Sequence, residues 1–180
     1  VFDLATGALR WEAPTYKFTA APVVERGFVV VAVGDGDRHA RVEARDLSTG
    51  KVRWRTSVPG SFEEAIEPAA DDHEVVVVDH LGVATLFDLG SGVVRWQRDT
   101  RHAVIESRVS LTARRVVFTS FSGHVFVLNR KDGRIVSRRA ARRLGGYPIA
   151  AVTTSWSGHH RLLVALRLDV PCRIELLPLP

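Results

Sequence analysis

Asp35-Gly36-Asp37, the pair His159-His160, four scattered histidines and the run Arg138-Arg139-Ala-Ala-Arg142-Arg143 are the stretches whose side chains could bind a cation, move a proton or hold an anion. Asp35 and Asp37 offer the oxygen ligands that Ca²⁺ takes, yet Asp-Gly-Asp is equally what a tight turn requires, and the turn reading is preferred. His159 and His160 fall in a polar Ser157-Gly158-His-His turn with no carboxylate nearby, and neighbouring residues on a strand point to opposite faces. They are read as solvated turn histidines. His73, His80, His102 and His124 sit at turns or strand starts of different segments, and no Gly-x-Ser-x-Gly, Walker or His-Glu-x-x-His pattern makes any of them catalytic. Cys172 is the single cysteine, which excludes an intrachain disulfide and a cysteine metal cluster; a buried, inert thiol is expected. Four guanidiniums within six residues, Arg138, Arg139, Arg142 and Arg143, could meet an anionic partner, although a solvated connector is the plainer reading. No catalytic, cofactor-binding or metal-binding residue is expected.

The elements that would position these groups are set by a repeat. Asp3, Thr6, Gly7 and Trp11 return as Asp46, Thr49, Gly50 and Trp54, as Asp88, Ser91, Gly92 and Trp96, and in worn form as Asn129, Asp132, Gly133 and Ser137. The steps between copies are 43, 42 and 41 residues. A period of about 40 to 50 residues signals propellers or repeat arrays. Each glycine falls where a short hairpin needs a left-handed residue, and the Asp or Asn four positions earlier can accept hydrogen bonds from the turn backbone. A Trp once per period, back in strand, offers a flat surface for packing between successive units.

Between the copies, runs such as Phe28–Val33 and Val75–Val78 are apolar at every position, as strands covered on both faces must be. Four short strands per period with polar turns and no helical pattern predict an all-β fold, a β-propeller of four-stranded antiparallel blades. About four repeats are present. One domain, 1–180, divides into a blade tail at 1–17, blades at 18–60, 61–100 and 101–142, and an incomplete blade at 143–180. Because Ser137 replaces Trp, packing onto the fourth unit is expected to be weaker.

The segments Val1-Phe-Asp-Leu-Ala-Thr-Gly-Ala-Leu-Arg-Trp11 and Ala44-Arg-Asp-Leu-Ser-Thr-Gly-Lys-Val-Arg-Trp54 resemble the tryptophan-docking repeat of pyrroloquinoline-quinone (PQQ)-type propellers. That resemblance spans essentially the whole chain and implies a larger ring of seven or eight blades, of which this would be an open arc. Family members include quinoprotein dehydrogenases, a lipoprotein of outer-membrane protein assembly, and sensor-like extracellular domains of bacterial kinases. The resemblance implies a bacterial, extracytoplasmic setting. Function does not follow from the fold. The reading adopted is a non-catalytic scaffold, without a cofactor, that binds protein or the remaining blades of its own chain; the alternative is a fragment of a PQQ-dependent dehydrogenase, in which many members carry a vicinal disulfide that a single cysteine forbids.

Composition adds bounds. With 46% apolar and 25% charged residues the chain has the make-up of an ordinary globular domain, and no apolar run is long enough to span a membrane. The formal charge of +5 would suit a polyanion. Arg outnumbers Lys 22 to 3 alongside abundant Ala, Val and Gly, which reads as GC-rich coding rather than nucleic-acid binding. There is no Met, and Val1 heads a motif copy, so the start of translation is expected upstream, with any targeting signal.

Overall fold

The computed structural model describes residues 1–14, 20–34, 40–58, 67–103, 109–120 and 122–140, and through backbone alone residues 18–19, 148–156, 159–166 and 173–178. All its regular elements are antiparallel strands. The first sheet holds β1 (Phe18–Thr19), β2 (Val23–Glu25), β3 (Phe28–Gly34), β4 (Ala40–Asp46) and β5 (Val52–Val58). The second is β6 (Ala69–Ala70), β7 (Glu74–Val78), β8 (Val83–Asp88) and β9 (Val94–Asp99), and the third is β10 (Ser110–Leu111), β11 (Arg115–Thr119), β12 (His124–Asn129) and β13 (Ile135–Ala140). A fourth holds β14 (Pro148–Trp156), β15 (His159–Leu166) and β16 (Arg173–Pro178).

One element departs from the sequence pattern. The inner strand of the first sheet is split into β1 and β2, which both pair with β3. Pro22 lies in the gap, and a residue without an N–H cannot keep a ladder going. In the second and third sheets the inner strands β6 and β10 are two residues long; residues 61–66 and 104–108, which precede them, lie outside the described residues.

The sheets stack face to face. Val75 and Val77 of β7, with Phe87 and Leu89, pack against Val30, Ala32, Val42, Ala44 and Trp54 of the first sheet. Val76 and Val78, pointing the other way, join Leu86 against Val116, Phe118, Phe126 and Leu128 of the third. Alternation along a strand thus feeds two interfaces at once, which is why all four valines of β7 are at most 1% exposed. Phe118 and Phe126 stack with ring centroids 5.4 Å apart inside the second interface. Each such side chain contributes roughly 1.5–3 kcal/mol through burial. In the fourth sheet, β14 lies against β10 and β11.

The arc is open. Among the described residues β16 pairs with β15 alone, and residues 1–11 form a hairpin of their own, joined by the bridge Phe2↔Leu9 and by hydrogen bonds such as Arg10 N–H to Val1 O at 3.0 Å. Amide hydrogen exchange checks this: deleting Arg173–Pro180 should leave protection of Ala8–Glu12 unchanged, whereas lost protection would reveal closure of the ring through the two ends.

Candidate functional site

Each motif turn is built around one side chain. Asp46 Oδ1 accepts the backbone N–H of Ser48 (3.0 Å) and Thr49 (2.9 Å) and both their hydroxyls. Asp3 Oδ1 accepts the backbone N–H of Ala5 and Thr6 and the Thr6 hydroxyl, and Asp88 Oδ1 the N–H and hydroxyl of Ser91. The second carboxylate oxygen meets an arginine seven residues on: Arg10 for Asp3, Arg53 for Asp46 at 2.6 Å, and Arg95 for Asp88 at 2.7 Å. The sequence reading missed these arginines, although they recur with the motif.

A β-bulge aims them. Pairing slips between Ala44 and Arg45, between Leu86 and Phe87, and between Val127 and Leu128, and in the first two sheets the extra residue on the outer strand is Arg53 or Arg95. A bulge bends its strand and redirects the inserted side chain, here back toward the carboxylate. In the third sheet the extra residue is Val136, and its turn carries Asn129, whose Oδ1 accepts the Lys131 N–H at 2.8 Å. The acid and its arginine are replaced together.

These contacts hold the carboxylates below their usual range. Asp3 falls to about 2, through Arg10 first and Thr6 next. Asp46 is depressed by the Ser48 hydroxyl and then Arg53, and Asp88 by the Ser91 hydroxyl and then Arg95.

The turns receive the tryptophans of preceding units. Trp11 Nε1 donates to Leu47 O (2.8 Å), Trp54 Nε1 to Leu89 O (2.7 Å) and Trp96 Nε1 to Arg130 O (2.6 Å). Each ring lies over the next glycine so closely that a Cβ on Gly50, Gly92 or Gly133 would come within 2.5–2.8 Å of indole carbons. Two residues beyond two of the tryptophans, Thr56 donates to Gly92 O at 2.7 Å and Arg98 to Gly133 O at 3.0 Å. Trp54 is 8% exposed, while Trp11 and Trp96 are half-buried.

The opposite ends of the sheets carry a polar cluster that the sequence reading held apart. His102 and His124 approach to 4.8 Å between ring centroids, and the Ser122 hydroxyl lies 3.2 Å from His102 Nδ1 and 3.0 Å from His124 Nδ1. Arg138 donates to His102 Nε2 at 3.3 Å. Burial, then His102 and Arg138, lowers the His124 pKa. No sequence signal pairs residues of two units; only their stacking does.

The arginine run is described only in part. Arg138 and Arg139 belong to β13 rather than to a connector, paired with Phe126 and Val125, and both are exposed. Paired residues share a face, so Arg138 lies on the side that Phe126 turns to the second sheet and Arg139 on the other. Arg138 and Arg139 thus face opposite sides of β13. Arg142 and Arg143 lie outside the described residues, as do Asp35, Asp37 and Cys172. His159 and His160 belong to strand β15 instead of a turn, opposite Trp156 and Ser155. Among the described residues, no group of three or more His, Cys, Asp or Glu is placed to hold a metal ion, and no helix is long and apolar enough to cross a membrane.

The family model for outer membrane protein assembly factor BamB matches residues 1–150. The chain belongs to this family of PQQ-type repeats. No curated protein matches it in sequence. Among solved structures, BamB from Moraxella catarrhalis is 19% identical with a TM-score of 0.59, covering 82% of this chain and 50% of that one. Quinohemoprotein alcohol dehydrogenase from Comamonas testosteroni is 16% identical with a TM-score of 0.64, covering 84% of this chain and 29% of the enzyme. The computationally designed Ika4 protein is 14% identical with a TM-score of 0.71, covering 94% of this chain and 100% of that chain. Such identities establish the propeller fold alone, and the chain spans about half the length of the Moraxella BamB.

Two outcomes follow from the turn geometry. Trp54→Ala should lower stability by roughly 3–5 kcal/mol, read from the urea midpoint; an unchanged midpoint would remove the indole from the stability of the stack. A carboxylate whose folded pKa is depressed stabilises fully above its unfolded value of about 4 and loses that contribution as pH falls through the folded value. The midpoint difference between the parent chain and Asp46→Asn should therefore be constant from neutral pH down to about 5 and narrow steadily below about 4. A difference independent of pH over the whole range would show that the charge of Asp46 plays no part.

Proposed function

We propose that the chain is a non-catalytic propeller segment that binds other proteins, in an extracytoplasmic compartment and as part of a larger assembly. The observation that carries this reading is the family match over residues 1–150, whose reference protein is described as a factor in outer membrane protein assembly. The geometry of the motif agrees with it: the recurrent polar side chains are consumed in building turns and in docking one unit on the next, a mechanical use that leaves them no reacting partner. Asp3, Asp46 and Asp88 act as turn builders, and Trp11, Trp54 and Trp96 as the docking groups.

The competing reading is a piece of a quinoprotein dehydrogenase, whose propeller fold the chain shares with the Comamonas enzyme. A ligand that binds only the folded state raises stability by mass action, about 2.7 kcal/mol at a hundredfold excess over its dissociation constant. Micromolar PQQ with Ca²⁺ should leave the thermal midpoint unchanged and confer no dye-linked oxidation of alcohols. A saturable rise in the midpoint, with or without turnover, would replace the scaffold reading by the dehydrogenase one.

A further inference from the structure

The same crevice opens twice between consecutive units, and its second occurrence has been converted from charge-balanced to cationic. Backbone hydrogen bonds fix the equivalence. Leu89 N–H donates to His73 O at 2.8 Å and Arg130 N–H to Arg114 O at 3.0 Å; Asp71 N–H donates to Glu74 O, as Thr112 N–H does to Arg115 O. Position by position, Asp72 is therefore replaced by Ala113, His73 by Arg114, Asp88 by Asn129, Leu89 by Arg130 and Gly90 by Lys131. In the first crevice, of about 500 Å³, Arg26 and Arg95 face Asp72 and Asp88, and Arg95 is paired with Asp88. In the second, of about 410 Å³, both acids are gone and the walls hold Arg114, Arg115, Arg130 and Lys131 against Glu74.

The distribution of that charge narrows what would fit. Arg130 is clamped inside the crevice by Asp71 and Glu74, each at 2.5 Å, and donates to Thr112 O at 3.0 Å. Burial alone would lower its pKa, but the two carboxylates raise it, so it stays charged and already neutralised. The uncompensated cations are at the rim, where Arg114 and Lys131 are exposed. A single compact anion at the centre would confront Glu74 and an arginine already engaged. An extended segment with several carboxylates, its like-facing side chains about 7 Å apart, can reach both rim cations and pass over Glu74.

We propose that the crevice between the second and third units is a docking site for an acidic, extended peptide segment of a partner protein, with Arg114 and Lys131 as its recognition residues. The assignment rests on the scaffold reading and supplies the chemistry of the partner that reading leaves open.

The probe is a short fluorescein-labelled peptide alternating Glu and Gly, titrated with the chain at about 50 mM salt, where exposed charges are weakly screened, and followed by anisotropy. Saturable binding is expected, weakened about tenfold or more by Arg114→Glu with Lys131→Glu, since reversing two exposed contacts removes two attractions and adds two repulsions. The neutral pair Arg114→Gln with Lys131→Gln should give a smaller loss, and it carries the test if the reversed pair folds poorly. Arg138→Glu with Arg139→Glu changes the net charge equally and should alter affinity less than about twofold. Absence of saturable binding, or equal losses in the two reversed pairs, would overturn the proposal. Inorganic phosphate competing as well as the peptide at equal charge would make the crevice a phosphate site and also overturn it. Neither failure touches the scaffold reading, which stands or falls with PQQ.

Discussion

The seating of an indole on a glycine is the contact on which the stacking of the units depends. The glycine must satisfy two conditions at once: φ near +70° to close the hairpin, and no Cβ, because the ring of the preceding unit occupies that space. Only one residue type meets both. The indole N–H then donates to the carbonyl of the residue after the motif Asp or Asn, so each ring is fixed in position as well as in plane. Apolar interfaces such as that between Val75, Val77 and the first sheet supply most of the attraction. Area burial has little directional preference; the indole and the glycine set the register in which those faces meet.

The turn that presents the glycine is itself held by charge. A carboxylate that accepts several hydrogen bonds on one oxygen and a guanidinium on the other is strongly favoured in its ionised form. The bulge in each outer pairing makes the arrangement possible by bringing the inserted arginine back over the turn. That the bulge persists at Val136, where Asn129 has taken the place of the acid, shows that the ion pair uses the bulge and does not cause it. Freed of this role, the third turn carries a different set of charges, with Arg130 reaching across to Asp71 and Glu74 of the second sheet. The indole of Trp96 seats on Gly133 as its counterparts do, so the change in charge leaves the docking geometry intact.

Much of the architecture was legible in the chain itself, because its determinants are local. The period, the turn at each Asp and Gly, and the two-sided burial of Val75–Val78 follow from hydrogen-bonding reach within a few residues and from alternation along a strand. The break at Pro22 could also have been read, since proline interrupts a ladder by its own covalent structure. The arginine seven residues after each Asp recurs as plainly as the tryptophan, but its partner becomes apparent only once a bulge has shortened the path back to the turn.

The polar neighbourhoods were another matter. His102 and His124, the clamp of Arg130 on Asp71 and Glu74, and the separation of Arg138 from Arg139 onto opposite faces all depend on how one sheet is laid against the next and on which way a strand is turned. By itself the sequence determined the repeat, its hairpins and its all-β class, since each is written within a window of about ten residues. Which charged groups meet across a unit boundary was decided by the tertiary structure, because strand register and sheet stacking bring together side chains that no spacing in the chain relates.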